Sequence, residues 1–232
     1  MKKVIKRVIL VILVVIMLLT GLIFGSGWHK YKQAVSKLPI NEAIIKIKSQ
    51  ENFTPIDEIP LTFINAMVAV EDKRFYNHTG VDFIGVVRAI INNFKAKSMV
   101  EGGSGITQQL VKNIYFMNDN TITRKVAEVF VAIELEKKLS KREILELYFN
   151  VIYYGNGYYN IYDASMGYFN KPPSKLTNYE ATLLAGIPNA PSVYSLKKNP
   201  ELAKQRQKVV VNAMVEMKYL TKEEANIILS QQ

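Results

Sequence analysis

EDKRFYNHTGVD, residues 71 to 82, is the stretch on which the reading of this chain turns. Just upstream, after Pro60, the spacing Phe63, Ala66, Met67, Val70 has the helical period, so Glu71 stands at the end of an apolar-faced helix. A carboxylate in that place feels the negative end of the backbone dipole, which raises its affinity for a proton, the direction a general base needs. The plainer alternative is a surface Glu71 paired with Lys73 or Arg74, and the segment alone leaves both readings open. His78 reads as a hydrogen-bonded turn residue. With His29 as its one companion and no cysteine in the chain, neither a histidine cluster nor a thiolate site can hold a metal.

Downstream, the spacing predicts a helix from Asp82 to about Lys95 with Ile84, Val87, Ile91 and Phe94 inward and Arg88 at the border of that face. EGGSGITQQLVKN, Glu101 to Asn113, opens with glycines around Ser104 and then takes helical spacing, placing Gln108, Gln109 and Lys112 on one face. A glycine-rich loop opening a helix suits an anion at the helix N-terminus, and a flexible surface loop fits the letters equally well. The loop lacks the GKS or GKT ending of a nucleotide P-loop. In RKVAE, Arg124 to Glu128, the two ends can form a simple i,i+4 pair, on a helix that turns Val126, Phe130 and Ile133 to the core.

Capping boxes begin helices at Ser140/Glu143, Thr177/Glu180 and Thr221/Glu224, Asn199–Pro200 begins another, and Gly186 before Ile187 and Pro188 ends one. Alternating strand patterns are scarce, so the body is expected to be mainly α.

The N-terminus supplies the location. Val8 to Phe24 carries no charge, a run near the lower end of the ~17 to 25 residues that cross a bilayer, and Lys2, Lys3, Lys6 and Arg7 precede it. Flanking cations stay inside by preference, which predicts a single-pass cell-membrane protein with a cytoplasmic N-terminus and an exported body. The run exceeds the usual ~7 to 15 residue core of a cleaved signal, so a retained anchor is expected. The expected organisation is a cytoplasmic tail at 1–7, a transmembrane anchor at 8–27, a membrane-proximal connector at 28–59 and the main domain at 60–232. The formal net charge is +10, and without the four leading cations it is +6. Beside a membrane such an excess suits lipid phosphates better than nucleic acid, which is not expected as a partner.

Read together and in order, EDKRFYNHTGVD, GGSGITQQLVKN, RKVAE, KREILELYFN (Lys141 to Asn150) and RQKVVVNAM (Arg206 to Met214) resemble the five motifs of the peptidoglycan glycosyltransferases. The resemblance covers roughly Pro60 to Ala225. It implies a lysozyme-like, mainly α domain with a smaller membrane-proximal lobe, preceded by one transmembrane helix. No penicillin-binding transpeptidase segment follows in the sequence, so a monofunctional form is expected.

What the resemblance implies is polymerisation of lipid II into peptidoglycan, with lipid II, the growing glycan strand and membrane lipid as partners and cell-wall synthesis proteins as further candidates. By motif position Glu71 resembles the base that takes the acceptor's proton. Glu128 resembles the second acid, on the donor diphosphate side, either directly or through a diphosphate-bound divalent ion, Mg or Mn; no covalent cofactor is implied. Lys112 matches a phosphate-side lysine, while Arg88, Ser104, Gln108, Gln109, Arg124 and Lys125 match substrate-contact positions. The chain departs from the family pattern at Gly105 in place of Thr, Lys73 in place of Arg, Asn120 in place of a frequent Arg, and Asn160 and Asn170 in place of glycines. A lysozyme-like hydrolase and an inactive anchored scaffold are the competing functions.

Overall fold

The computed structural model describes residues 2–96 and 102–231; Glu101, the first residue of the glycine-rich segment, lies outside the described residues, as do Met1 and Gln232. The described residues form eleven α-helices and four short 3-10 turns, with no strand. That is the mainly α body the capping signals predict.

α1 (Lys2–Lys37) is one unbroken helix of 36 residues. Its most apolar window has a mean hydropathy of 3.2 and is not buried anywhere in the protein, as suits a helix whose solvent is lipid. The helix does not stop near residue 27, where the connector was expected to begin. It continues onto α6 (Ile122–Lys138), where the rings of Trp28 and Tyr31 meet Phe130 at centroid distances of 5.0 and 5.7 Å. The Tyr31 hydroxyl donates to Glu134 at 2.7 Å, and Lys30 reaches Asp119 and Thr121 just before α6. Gly27 makes the approach feasible, because a Cβ there would lie 2.5 Å from the Cβ of Val126. Val126 and Phe130 therefore serve the α1 contact, half-buried, while the core face of α6 is Ala127, Val131 and Leu135.

After α2 (Ile40–Lys48) the chain is tied to α7 (Lys141–Phe149) and the residue that follows it. Asn150 pairs with both backbone groups of Thr54, and Glu146 accepts from the Ile56 amide at 3.0 Å. α3 (Leu61–Glu71) is the core helix, with Phe63, Ala66, Met67 and Val68 fully buried against α9 (Asn178–Gly186) and α10 (Pro200–Glu216).

All three capping boxes form, opening α7, α9 and α11 (Lys222–Ser230). α10 begins at Pro200 as expected, but Asn199 turns its amide to the Val193 carbonyl instead of capping. Gly186 ends α9 in right-handed geometry, and the chain tightens into the 3-10 turn Ile187–Asn189. Asn160 caps α8 (Ile161–Phe169), and Asn170 closes it in the left-handed region at φ 54°, which Asn tolerates better than most residues. Asn therefore does the work of a glycine at position 170.

One expectation is reversed. α4 (Phe83–Ala96) buries Gly85 and Ala89, while Ile84, Val87, Ile91 and Phe94 face outward, Phe94 at 85% exposure. Periodicity reports which residues share a face; it does not report the medium that face meets.

The Gly27 contact carries a prediction. Gly27→Leu forces a branched side chain into Val126, so thermal unfolding of the chain in detergent should show a loss of about 1–3 kcal/mol, typical of overpacking.

Candidate active site

The end of α3, the start of α5 (Ile106–Tyr115), the first turns of α6 and the middle of α10 surround one cleft of about 1000 Å³. All nine residues singled out by motif position line it. Glu71 comes from α3 and Arg88 from α4, Ser104 precedes α5, Gln108, Gln109 and Lys112 belong to α5, and Arg124, Lys125 and Glu128 to α6. Asn120, outside the cleft lining, is exposed.

Glu71 is the last residue of α3, and its side chain is only 8% exposed. Gln109 donates to its Oε2 at 2.9 Å, and the Tyr148 hydroxyl donates to the Gln109 carbonyl oxygen at 2.9 Å. Tyr148 thereby fixes the amide with its NH2 toward Glu71. Arg206 of α10 stands 4.0 Å from Glu71 Oε1, too far for a hydrogen bond, and neither Oε1 nor the Arg206 Nε has a hydrogen-bond partner. Burial is the main cause that pushes the Glu71 carboxyl above its ordinary value. The Gln109 hydrogen bond and the Arg206 charge pull the other way, and the Asp72 charge adds to the rise. The direction matches the sequence expectation, though desolvation supplies the cause in place of the helix dipole.

Glu128 lives differently. It is completely buried, with Lys125 donating to Oε2 at 2.8 Å and Arg124 Nε 3.2 Å from Oε1. The Arg124 contact is an ion pair without hydrogen-bond alignment, since both atoms lack a hydrogen-bond partner. The i,i+4 pairing read from the sequence thus exists, and it sits inside the cleft. Lys125 also donates to Ser104 Oγ, drawing the glycine-rich loop to α6.

The N-terminus of α5 is filled from within. Asp72 Oδ2 accepts from the Ile106 amide at 3.0 Å, so an anion bound at that amide is a reading the structure does not support. His78 bonds Asp72, as its turn role predicted. Lys73, which carries the Arg-to-Lys departure, pairs with Glu216 at the cleft edge.

Among the described residues no three His, Asp or Glu side chains converge on a metal position. Both Glu128 oxygens already face cations, so these residues do not fit a protein-held divalent ion.

Sequence reasoning missed Arg206, Tyr148 and Asp72 as parts of the site. Arg206 opens the fifth motif and could have been found there. Asp72 and Tyr148 likewise lie in the first and fourth motifs, but their partners, the Ile106 amide and the Gln109 side chain, are contacts between helices that the sequence does not show.

The transglycosylase family profile matches residues 39–215. Penicillin-binding protein 1A of Neisseria lactamica is 46% identical over 185 residues, 80% of this chain and 23% of that protein, so this chain spans about a quarter of that relative's length. A Cupriavidus necator protein bearing a provisional transglycosylase name is 43% identical over 181 residues, with 78% of each chain covered. The crystal structure of penicillin-binding protein 1A from Haemophilus influenzae, 26% identical, aligns over 55% of this chain and 16% of that one with a TM-score of 0.37. The profile across most of the chain and the relative of similar length lead to one assignment: this chain belongs to the transglycosylase family, the lysozyme-like peptidoglycan glycosyltransferases.

Proposed function

We propose that this chain polymerises lipid II on the outer face of the cytoplasmic membrane, with Glu71 as the base and the Lys112, Arg124, Lys125 and Glu128 cluster as the diphosphate side. The observation that carries the reading is the contrast within one cleft: a desolvated carboxylate without a contacting cation, and a second carboxylate held by two. Glu71 takes the proton of the acceptor's 4-hydroxyl as that oxygen bonds to the donor's anomeric carbon. The bond from that carbon to the diphosphate oxygen breaks with its electron pair, and attack from the opposite face converts an α-linked donor into a β-1,4 glycan. The departing undecaprenyl diphosphate gains charge, which cations lining the cleft stabilise. No step is assigned to a metal ion.

The apolar span of α1, with four cations before it, supports a single-pass anchor with its N-terminus inside and the domain of residues 60–232 outside. The exposed face of α4, with Phe83, Ile84, Val87, Ile90, Ile91 and Phe94, supports its insertion into the outer leaflet beside the lipid of the substrate.

Purified chain given lipid II should lengthen glycan, and finished glycan should remain intact. Shortening of finished glycan without growth from lipid II would make it a hydrolase, and inertness toward both a scaffold. Glu71→Gln should lower turnover by about 10² to 10⁴-fold with donor-analogue binding retained. Its thermal stability at neutral pH should be no lower than that of the wild type. The sign follows from the raised carboxyl: the folded state holds the Glu71 proton more tightly than the unfolded chain does, so stability from this group is present at low pH and falls as pH rises through the folded value. Gln removes that cost. Turnover should rise with pH across the same window, since the base works ionised.

A charged pair on α4, Ile90→Glu with Phe94→Glu, should lower turnover on vesicle-embedded lipid II and leave turnover on detergent-solubilised lipid II unchanged.

A further inference from the structure

The two residues at the end of α3 both grip α5. Glu71 accepts from the Gln109 side chain, and the neighbouring Asp72 accepts from the Ile106 backbone amide, three positions earlier on the same helix. Positions i and i+3 lie one turn apart on one side of a helix, so adjacent residues of one strand of backbone hold one turn of another. The second contact answers a real need. Ile106 is fully buried, its amide is one of the first four of α5 that no carbonyl within the helix accepts, and an N-cap side chain would reach the second or third amide and not this one. Asp72 supplies the missing cap from another helix, with its charge at the positive end of the α5 dipole.

Gly105 provides the room. A Cβ built on it would lie 2.4 Å from Asp72 Oδ2 and 3.6 Å from His78 Cε1, so a side chain there and the Asp72 carboxylate compete for one space. The backbone at Gly105, φ −76° and ψ 175°, is open to any residue, so the glycine answers to space and not to conformation. On its far side Asp72 is held by His78, whose Nε2 lies 3.0 and 3.1 Å from the two carboxylate oxygens. Both side chains are nearly inaccessible, at 3% and 6% exposure. That geometry assigns the His78 proton to Nε2.

We propose that Asp72 is the positioning residue of the reacting centre: seated in the space left by Gly105, it caps α5 and so holds Gln109 against Glu71. The inference rests on the reading of Glu71 as the base. Asp72 touches no substrate in this account; it acts through α5 and through its own charge. The groups that face Glu71 are Asp72 from α3, Gln109 from α5, Tyr148 from α7 and Arg206 from α10, and of these Asp72 alone is an acid. Its charge raises the Glu71 carboxyl, and its loss lowers it.

The test uses the full chain in detergent micelles. Isotope-edited infrared difference spectra follow the Glu71 carboxyl, its band identified by its loss in Glu71→Gln. Asp72→Asn should move the Glu71 midpoint to lower pH. An unmoved midpoint overturns the proposal whether or not the chain polymerises lipid II, so the failure of the polymerase reading is a separate result. In turnover of lipid II, Asp72→Asn should lower kcat by about 10²-fold, the cost of a misplaced reacting group, with KM little changed and the acid limb of the kcat profile shifted to lower pH. Gly105→Thr should lower kcat in the wild-type background and add little in an Asp72→Ser background, where the contested space is free. Full additivity of those two changes overturns the proposal. Should Asp72→Asn fail to fold, Gly105→Ala carries the test, with a fall in kcat at unchanged KM expected and wild-type kcat overturning the idea.

Discussion

The structure depends on one energetic tension: a carboxylate at the end of a core helix, largely taken out of water without a cation in contact. α3 could end harmlessly in an apolar residue or a surface acid. It ends in Glu71, on a helix that Phe63, Ala66, Met67 and Val68 anchor in the core, with its carboxylate held by Gln109. Burial disfavours its charge, and the site offers partial relief only, one neutral amide donor and a guanidinium at 4.0 Å. Full relief, with Arg206 in contact, would produce a stable ion pair with no appetite for a proton. The stand-off distance keeps Glu71 basic.

Glu128 is the counterexample within the same cleft. It is buried at least as deeply, yet Arg124 and Lys125 meet its two oxygens on the same helix. A carboxylate so satisfied is suited to holding cations in place, and Lys125 passes the restraint on to Ser104 of the glycine-rich loop. The two roles proposed for these acids therefore rest on environment alone, the pattern by which one fold separates proton transfer from charge stabilisation.

How much of this was legible depended on the range of the contacts. Local signals read well: the three capping boxes opened α7, α9 and α11 where expected, and the helical period ended α3 at Glu71. The motif residues, scattered over nearly sixty positions, gather in one cleft because α3, α4, α5 and α6 each turn one face or end toward it. Contacts across helices stayed hidden. Nothing in the letters shows that Tyr148 orients Gln109, or that Asp72 caps a helix 34 residues away. The outward face of α4 was invisible for a different reason. An apolar stripe at helical spacing is the same string whether it meets a protein core or a lipid, and only the placement of Gly85 and Ala89 on the packed side distinguishes them.

The continuity of α1 extends the argument from the cleft to the membrane. Its 36 residues span roughly 54 Å at about 1.5 Å per residue, well beyond a hydrocarbon core of about 30 Å. The excess is not a flexible stalk. From Gly27 onward it is packed on α6 by Trp28, Tyr31 and Phe130 and pinned by Lys30 at the residues that precede α6. α6 is also the helix that carries Arg124, Lys125 and Glu128. With α1 as the proposed anchor, the height of those cations above the bilayer follows from helix geometry, since α1 is unbroken from the apolar span to its contact with α6. A substrate whose diphosphate is tethered to a membrane-resident lipid presents its charge at a fixed depth, and a rigid connection matches that depth without an ordering cost at each turnover. In the arrangement proposed above, the exposed apolar face of α4, on the element that brings Arg88 to the same cleft, is the domain's second contact with the bilayer. In that proposal one continuous helix sets the height and a second apolar face sets the tilt.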